Sequence, residues 1–181
     1  MSAQSFVIEK NFKAPSFKLL NIDEKYYSLE ELRGKNGTLI MFICNHCPYV
    51  KAVINKIIRD SKDLLSLGVN SIAIMPNDVS TYPEDSFENM KKFSKKYNLF
   101  FPYLYDSTQG IAKKYDAACT PDFFGFDDNN MLLYRGRIDN SGLKEDNNAT
   151  RELFLSIKAI VNRENIPFNN PSIGCSIKWK N

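Results

Sequence analysis

The sequence predicts a layered α/β domain with a mixed central sheet. Three observations carry that reading. Residues 38–43 and 71–75 are short, nearly continuous apolar runs, as expected of strands covered on both faces. Apolar residues at spacings of three and four mark helices between and beyond them. Late in the chain, two aromatic-rich segments flank Asp127-Asp128-Asn129-Asn130, a hairpin signal.

After an irregular start, residues 17–22 and 25–27 predict a small hairpin around Asp23-Glu24. Ser28-Leu29-Glu30-Glu31 fits a capping box, in which hydroxyl and carboxylate satisfy opposite backbone donors, and Gly34 ends that short helix. The run 38–43 is the central strand. From Asn45 to about Leu67 the period turns helical, with Val50, Val53, Ile54, Ile57, Ile58 and Leu64 on one face and Gly68 as the stop. Pro48 falls in its first turn, where a missing N–H costs least.

The strand 71–75 is stopped by Pro76, and Asp85-Ser86 can cap a helix carrying Phe87, Met90, Phe93 and Tyr97. Residues 101–105 read as an edge strand, because Pro102 removes a ladder donor. A helix over 107–115, the hairpin 123–126/131–134 and an amphipathic helix over 150–161 complete the pattern. One domain over 1–181 is the expected organisation, since 181 residues suit a single substantial core.

Hydrophobic residues at 43% and charged residues at 25% are ordinary globular proportions. The 24 basic and 21 acidic residues are interspersed, so no basic footprint for nucleic acid is expected. No apolar run approaches 20 residues and no secretion signal is visible, so no membrane association is expected and a cytoplasmic location is the default. In a reducing compartment four cysteines are mostly thiols, and a close pair points to catalysis or metal before a structural staple.

That pair is Cys44-Asn45-His46-Cys47, enclosing the only histidine, at the junction of strand and helix. A thiolate attacks a disulfide where a thiol does not. Free N–H groups and the helix dipole favour negative charge on Cys44, and a protonated His46 would add to it. A unit pair ~4 Å apart interacts by roughly 4 kcal/mol at a dielectric near 20, less at a solvated helix end. The expectation is an ionised, solvent-facing Cys44 as nucleophile, Cys47 as resolving thiol and His46 as tuning group. Two ordinary buried thiols and an idle surface histidine are the bland alternative.

Downstream, Ala117-Ala118-Cys119-Thr120-Pro121-Asp122 places Thr-Pro directly before a strand. With the Cys pair upstream and the hairpin downstream, this resembles the thioredoxin-like fold. The segments 14–19 and 106–115, the Cys-Asn-His-Cys-Pro run and the ending 174–180 make the chain similar to the peroxiredoxin-like subgroup of the alkyl hydroperoxide reductase/thiol-specific antioxidant superfamily. The likeness spans about residues 11 to 180. It implies a mixed sheet flanked by helices, with an N-terminal extension and hairpin and a C-terminal tail. It also implies a cis bond before Pro121, exposing the Thr120 backbone to pair with an extended substrate. The tryptophan and strand aspartate of thioredoxins are Ile43 and Thr38 here, which leaves Cys47 without a named proton acceptor.

In a typical peroxiredoxin the peroxidatic cysteine follows Pro-x-x-x-Thr/Ser-x-x. Aligning it with Cys47 puts Cys44 at the hydroxyl position and Ile40 at the proline position. A thiol in place of that hydroxyl favours thiol–disulfide exchange over peroxide reduction, which stays as the alternative. Arg135 and Arg137 are expected to be surface charges. Cys119 is a candidate third redox thiol or a small buried hydrophobe. Cys175 is expected to serve packing, with a resolving role as the minor alternative. A metal centre from Cys44, His46, Cys47 and Cys119 is disfavoured, because His46 and Cys47 are adjacent; a metal carrier or redox-dependent interaction module remains the non-enzymatic reading. No cofactor is expected. The expected partners are a disulfide-bearing protein or small thiol as substrate and a dithiol protein as electron donor.

Overall fold

A computed structural model describes residues 2–5, 11–144, 146 and 148–180. In chain order the elements are β1 (Ser2–Gln4), β2 (Lys18–Asn21), β3 (Tyr26–Ser28), α1 (Leu29–Leu32), β4 (Gly37–Phe42), α2 (Pro48–Leu65) and β5 (Val69–Met75). A 3-10 turn (Pro83–Asp85), α3 (Phe87–Tyr97), β6 (Tyr103–Tyr105), α4 (Gly110–Lys114), β7 (Cys119–Thr120) and β8 (Asp122–Phe126) follow. The last are β9 (Leu132–Gly136), α5 (Glu152–Asn162) and β10 (Ile173–Ser176).

Seven strands form one mixed sheet in the order β3-β2-β6-β5-β4-β8-β9. β4 runs parallel to β5 and antiparallel to β8, so it sits well inside the sheet. Its side chains alternate between two cores, as the period of two requires. Leu39 and Met41 pack beneath α2, α3 and α5, against Val50, Ile54, Ile57, Met90 and Leu153. Ile40 and Phe42 point the other way, to Phe17, Leu29, Ala112, Tyr115 and Phe124. Each side is a continuous apolar layer, which is why residues 38–43 show no alternation in sequence.

The capping box forms as expected: Ser28 Oγ accepts from Glu31 N, and Glu31 Oε2 accepts from Ser28 N at 2.8 Å. Two expectations are corrected. β6 is not an edge strand, because the β2–β3 hairpin pairs antiparallel with its outer side; Pro102 lies just before it, where no ladder donor is lost. Helix α2 begins at Pro48 rather than Asn45, with Cys47 as its N-cap, so Cys44 to Cys47 form the entering turn. Within the C-terminal tail, β10 joins β1 and β7 in a separate antiparallel sheet of order β1-β10-β7.

Candidate active site

The end of central strand β4 delivers the dithiol turn to the top of the sheet, and Ile43 N still bonds Ile74 O on β5 at 3.0 Å. The parallel β4/β5 pair brings the residues after Met75 beside those after Phe42. Asp85, expected to cap α3, instead turns inward. Its fully buried carboxylate takes Oδ1 bonds from Asn45 N (2.8 Å) and His46 N (3.2 Å). Oδ2 bonds His46 Nδ1 at 2.6 Å and accepts from Asn77 Nδ2 at 2.8 Å. Tyr103 Oη donates to Asn45 Oδ1 at 2.9 Å, and the His46 ring stacks on Tyr82 at 5.5 Å. The turn is thus clamped by one carboxylate, one tyrosine and one ring face.

The Thr120–Pro121 peptide is cis, as the resemblance implied, and it meets both sulfurs. Cys44 Sγ lies 3.3 Å from Thr120 Oγ1, and Cys47, when protonated, donates to Thr120 O at 3.1 Å. Both sulfurs thus meet the same residue, Thr120, and belong to one buried cluster. The fold brings Cys44, His46, Cys47, Thr120 and Pro121 together. Cys119 is turned away, donating to Pro121 O at 3.3 Å, and burial raises its pKa.

The electrostatics reverse the expected order of the pair. Cys44 is not solvent-facing; both sulfurs are fully buried. Its thiol is pushed up because the neighbouring Cys47 takes the negative charge, because it is desolvated and because it faces the Asp85 carboxylate. Cys47 is brought down to about 5, chiefly by the neighbouring Cys44 thiol, with help from Val50 N–H at the helix start and from Cys175. The physical reason is position. As N-cap, Cys47 is the sulfur at the helix start, whereas His46 is engaged by Asp85 and does not bring Cys44 down.

Thr120 is not exposed to an extended partner. β10 already pairs with it, Cys175 opposite Thr120 and Ser176 opposite Cys119. Beside this strand lies a cleft of about 370 Å³, walled by Tyr49, Pro121, Phe123, Leu143 and Ile173. Arg135 is buried rather than on the surface: its Nη2 bonds Asp122 Oδ2 at 3.0 Å and Asp116 O at 2.6 Å beneath the cis-proline loop. Arg137 is held by Glu152 through two bonds of 2.9 and 2.6 Å.

A metal would find Cys44, His46 and Asp85 with ligand atoms within 4.8 Å of one another. Asp85 already accepts Asn77 and two backbone amides while bonding the His46 ring, so a cation would have to displace existing partners. The set does not fit a resident metal.

Asp85, Asn77, Tyr82 and Tyr103 are the site residues that sequence reasoning missed. The available signal was topological, since the C-terminal ends of adjacent parallel strands converge on one site.

A seven-stranded mixed sheet, a Cys-x-x-Cys turn at a helix start and an opposing cis-proline loop define a thioredoxin-like redox protein. The chain belongs to the AhpC/TSA family, which it matches over residues 11–135. Among solved structures it is similar to an uncharacterised conserved protein from Geobacillus kaustophilus, with 44% identity, 99% and 97% of the two chains covered and a TM-score of 0.94. A hypothetical protein from Sinorhizobium meliloti 1021 is 33% identical over 98% of each chain, with a TM-score of 0.92. The thioredoxin domain of a thiol-disulfide oxidoreductase from Bacteroides vulgatus shares the fold, with a TM-score of 0.60 at 14% identity over 71% of this chain and 88% of that one. No curated protein matches the chain in sequence. Among the described residues no helix is long and apolar enough to cross a membrane.

Proposed function

We propose that the protein is a thiol–disulfide oxidoreductase working through the Cys44/Cys47 couple. The observation that carries this is the pair of sulfurs at a helix start, both in contact with the cis-Thr120-Pro121 loop. Cys47 is the nucleophile, because its charge is stabilised where that of Cys44 is opposed. Its thiolate attacks one sulfur of a substrate disulfide and expels the other as a thiolate. Cys44, losing its proton to that leaving group, then attacks Cys47 Sγ and releases the second thiolate, leaving Cys44–Cys47 oxidised. A partner dithiol protein returns the two electrons, and no organic cofactor takes part. His46 acts by positioning: its ring and backbone tie the turn to Asp85. Substrates are disulfide-bearing proteins or small thiols, in a reducing compartment such as the cytoplasm.

Peroxide reduction is the weaker reading. Arg135 and Arg137, the two candidates to polarise a peroxide, are committed to Asp122 and Glu152. A redox titration with disulfide mapping separates the two. Reversible Cys44–Cys47 formation driven by disulfides supports exchange. Fast hydrogen peroxide consumption through a sulfenic acid on Cys47, with no response to disulfides, refutes it.

A further inference from the structure

Cys175 is the thiol that the site chemistry has not used. It sits in the middle strand of the small sheet, between Ser2 of β1 and Thr120 of the cis-proline loop. Its side chain packs against the cluster that holds Cys47, opposite Thr120, whose carbonyl lies 3.1 Å from the Cys47 sulfur; burial first, and then the neighbouring Cys47, raise Cys175 to about 11. The approach is built into the backbone. At Gly174 an added Cβ would meet Thr120 C at 2.6 Å and Pro121 N at 3.1 Å, so only glycine lets β10 come this near. Of the four cysteines, Cys44, Cys47 and Cys119 are buried and Cys175 alone is partly exposed. Any thiol or disulfide arriving from solvent meets Cys175 first.

We propose that Cys175 forms a reversible disulfide with Cys47 and is the port through which external thiols and disulfides exchange with the buried pair. The proposal rests on Cys47 being the redox nucleophile, as above, and adds its outer partner. With a small disulfide RSSR as oxidant, the Cys175 sulfur attacks one sulfur and forms Cys175–S–S–R. The first RS⁻ leaves and takes the Cys175 proton. Cys47 thiolate then attacks Cys175 Sγ, breaks the bond to R and expels the second RS⁻, which takes its proton from solvent. Two protein sulfurs have lost two electrons, and RSSR has become two RSH. In the return direction an external thiolate attacks the partly exposed Cys175 sulfur, and Cys47 departs as a low-pKa thiolate, the favoured leaving group. A second thiol then frees Cys175.

The test uses reduced full-length protein, oxidised glutathione as the probe, alkylation of remaining thiols in the native state, and peptide mapping by mass spectrometry. Wild type and Cys44→Ala are both expected to yield a Cys47–Cys175 crosslinked peptide that dithiothreitol removes. A second variant, Cys175→Ser, lies at a partly exposed position, and its native circular dichroism spectrum is checked first. It is expected to slow oxidation of the remaining pair by glutathione disulfide at least tenfold. If wild type forms only Cys44–Cys47, and Cys175→Ser is oxidised as fast as wild type, the port is overturned while the dithiol function stands. If no intramolecular disulfide appears in any variant, both readings fall.

Discussion

Replacing Asp85 with alanine probes the organisation of the site most directly. The carboxylate accepts the Asn45 and His46 amides and the Asn77 side chain, and it bonds the His46 ring. Asn45 and Asn77 are buried, so their donors lose a partner without gaining water. Each such orphaned donor costs about 1–3 kcal/mol, whereas the half-buried His46 groups partly rehydrate, which gives about 4 kcal/mol in all. Against a total of about 5–15 kcal/mol that is a large share. With a urea slope of about 2 kcal/mol/M, the unfolding midpoint should fall by about 2 M. Asp85→Asn keeps one oxygen for the two amides and should cost about half as much. Both variants also remove the negative charge that opposes ionisation of Cys44, so Cys44 alkylation, followed residue by residue by mass spectrometry, should begin at lower pH than in wild type. A midpoint within 0.5 M of wild type (about 1 kcal/mol at that slope), together with unchanged Cys44 alkylation, would refute the role given to Asp85.

Three further outcomes are expected. The pH dependence of Cys47 alkylation should show an apparent pKa near 5, and Cys44→Ala should raise it because the neighbour that most lowers it is lost; an unmoved profile contradicts the paired-sulfur account. Between pH 5 and 9 the unfolded chain holds a proton on Cys47 that the folded chain has released, so stability should rise with pH across that window and be lost as pH falls through about 5. Above pH 9 the raised Cys44, Cys119 and Cys175 retain protons that the unfolded chain loses, and the slope should reverse; urea titrations at pH 5, 7, 9 and 10.5 read both signs. Arg135→Ala strands the buried Asp122 carboxylate and should cost about 3–5 kcal/mol in the same assay, while a loss below 1 kcal/mol would show that the pair is dispensable.

Residues whose partners are near in sequence, or whose faces are uniformly apolar, announced their structure. The capping box at Ser28 and Glu31, the doubly covered β4 and the amphipathic α2 follow from local chemistry and periodicity. The dithiol was equally visible, and the cis bond at Pro121 came from the family likeness rather than from any local signal. What the sequence hid depends on distant partners. Ile173-Gly174-Cys175-Ser176 follows Pro171 and lacks apolar alternation; it is a strand because β1 and β7 each present an edge to it. Asp85 stands where a helix cap is plausible, and only the β4/β5 pairing shows that it serves a turn 40 residues away. Arg135 alternates correctly for a strand but faces inward, paired with a carboxylate that the sequence does not flag. The N-terminal end of the helix was displaced for a smaller reason: helix α2 starts three residues later than its periodicity indicated, which gives the N-cap to Cys47 rather than to Cys44.

The small sheet couples Ser2 to Cys175, residues almost a whole chain length apart, with few apolar side chains to secure it. Short pairings with few buried apolar contacts open at lower free energy than a sheet with a core on both faces, such as the seven-stranded one. Turnover at this site would then be timed by how often a short ribbon breathes. Two relatives with identical sulfur chemistry could work at very different speeds through ribbon residues alone, and backbone amide exchange at 173–176 would give the tempo.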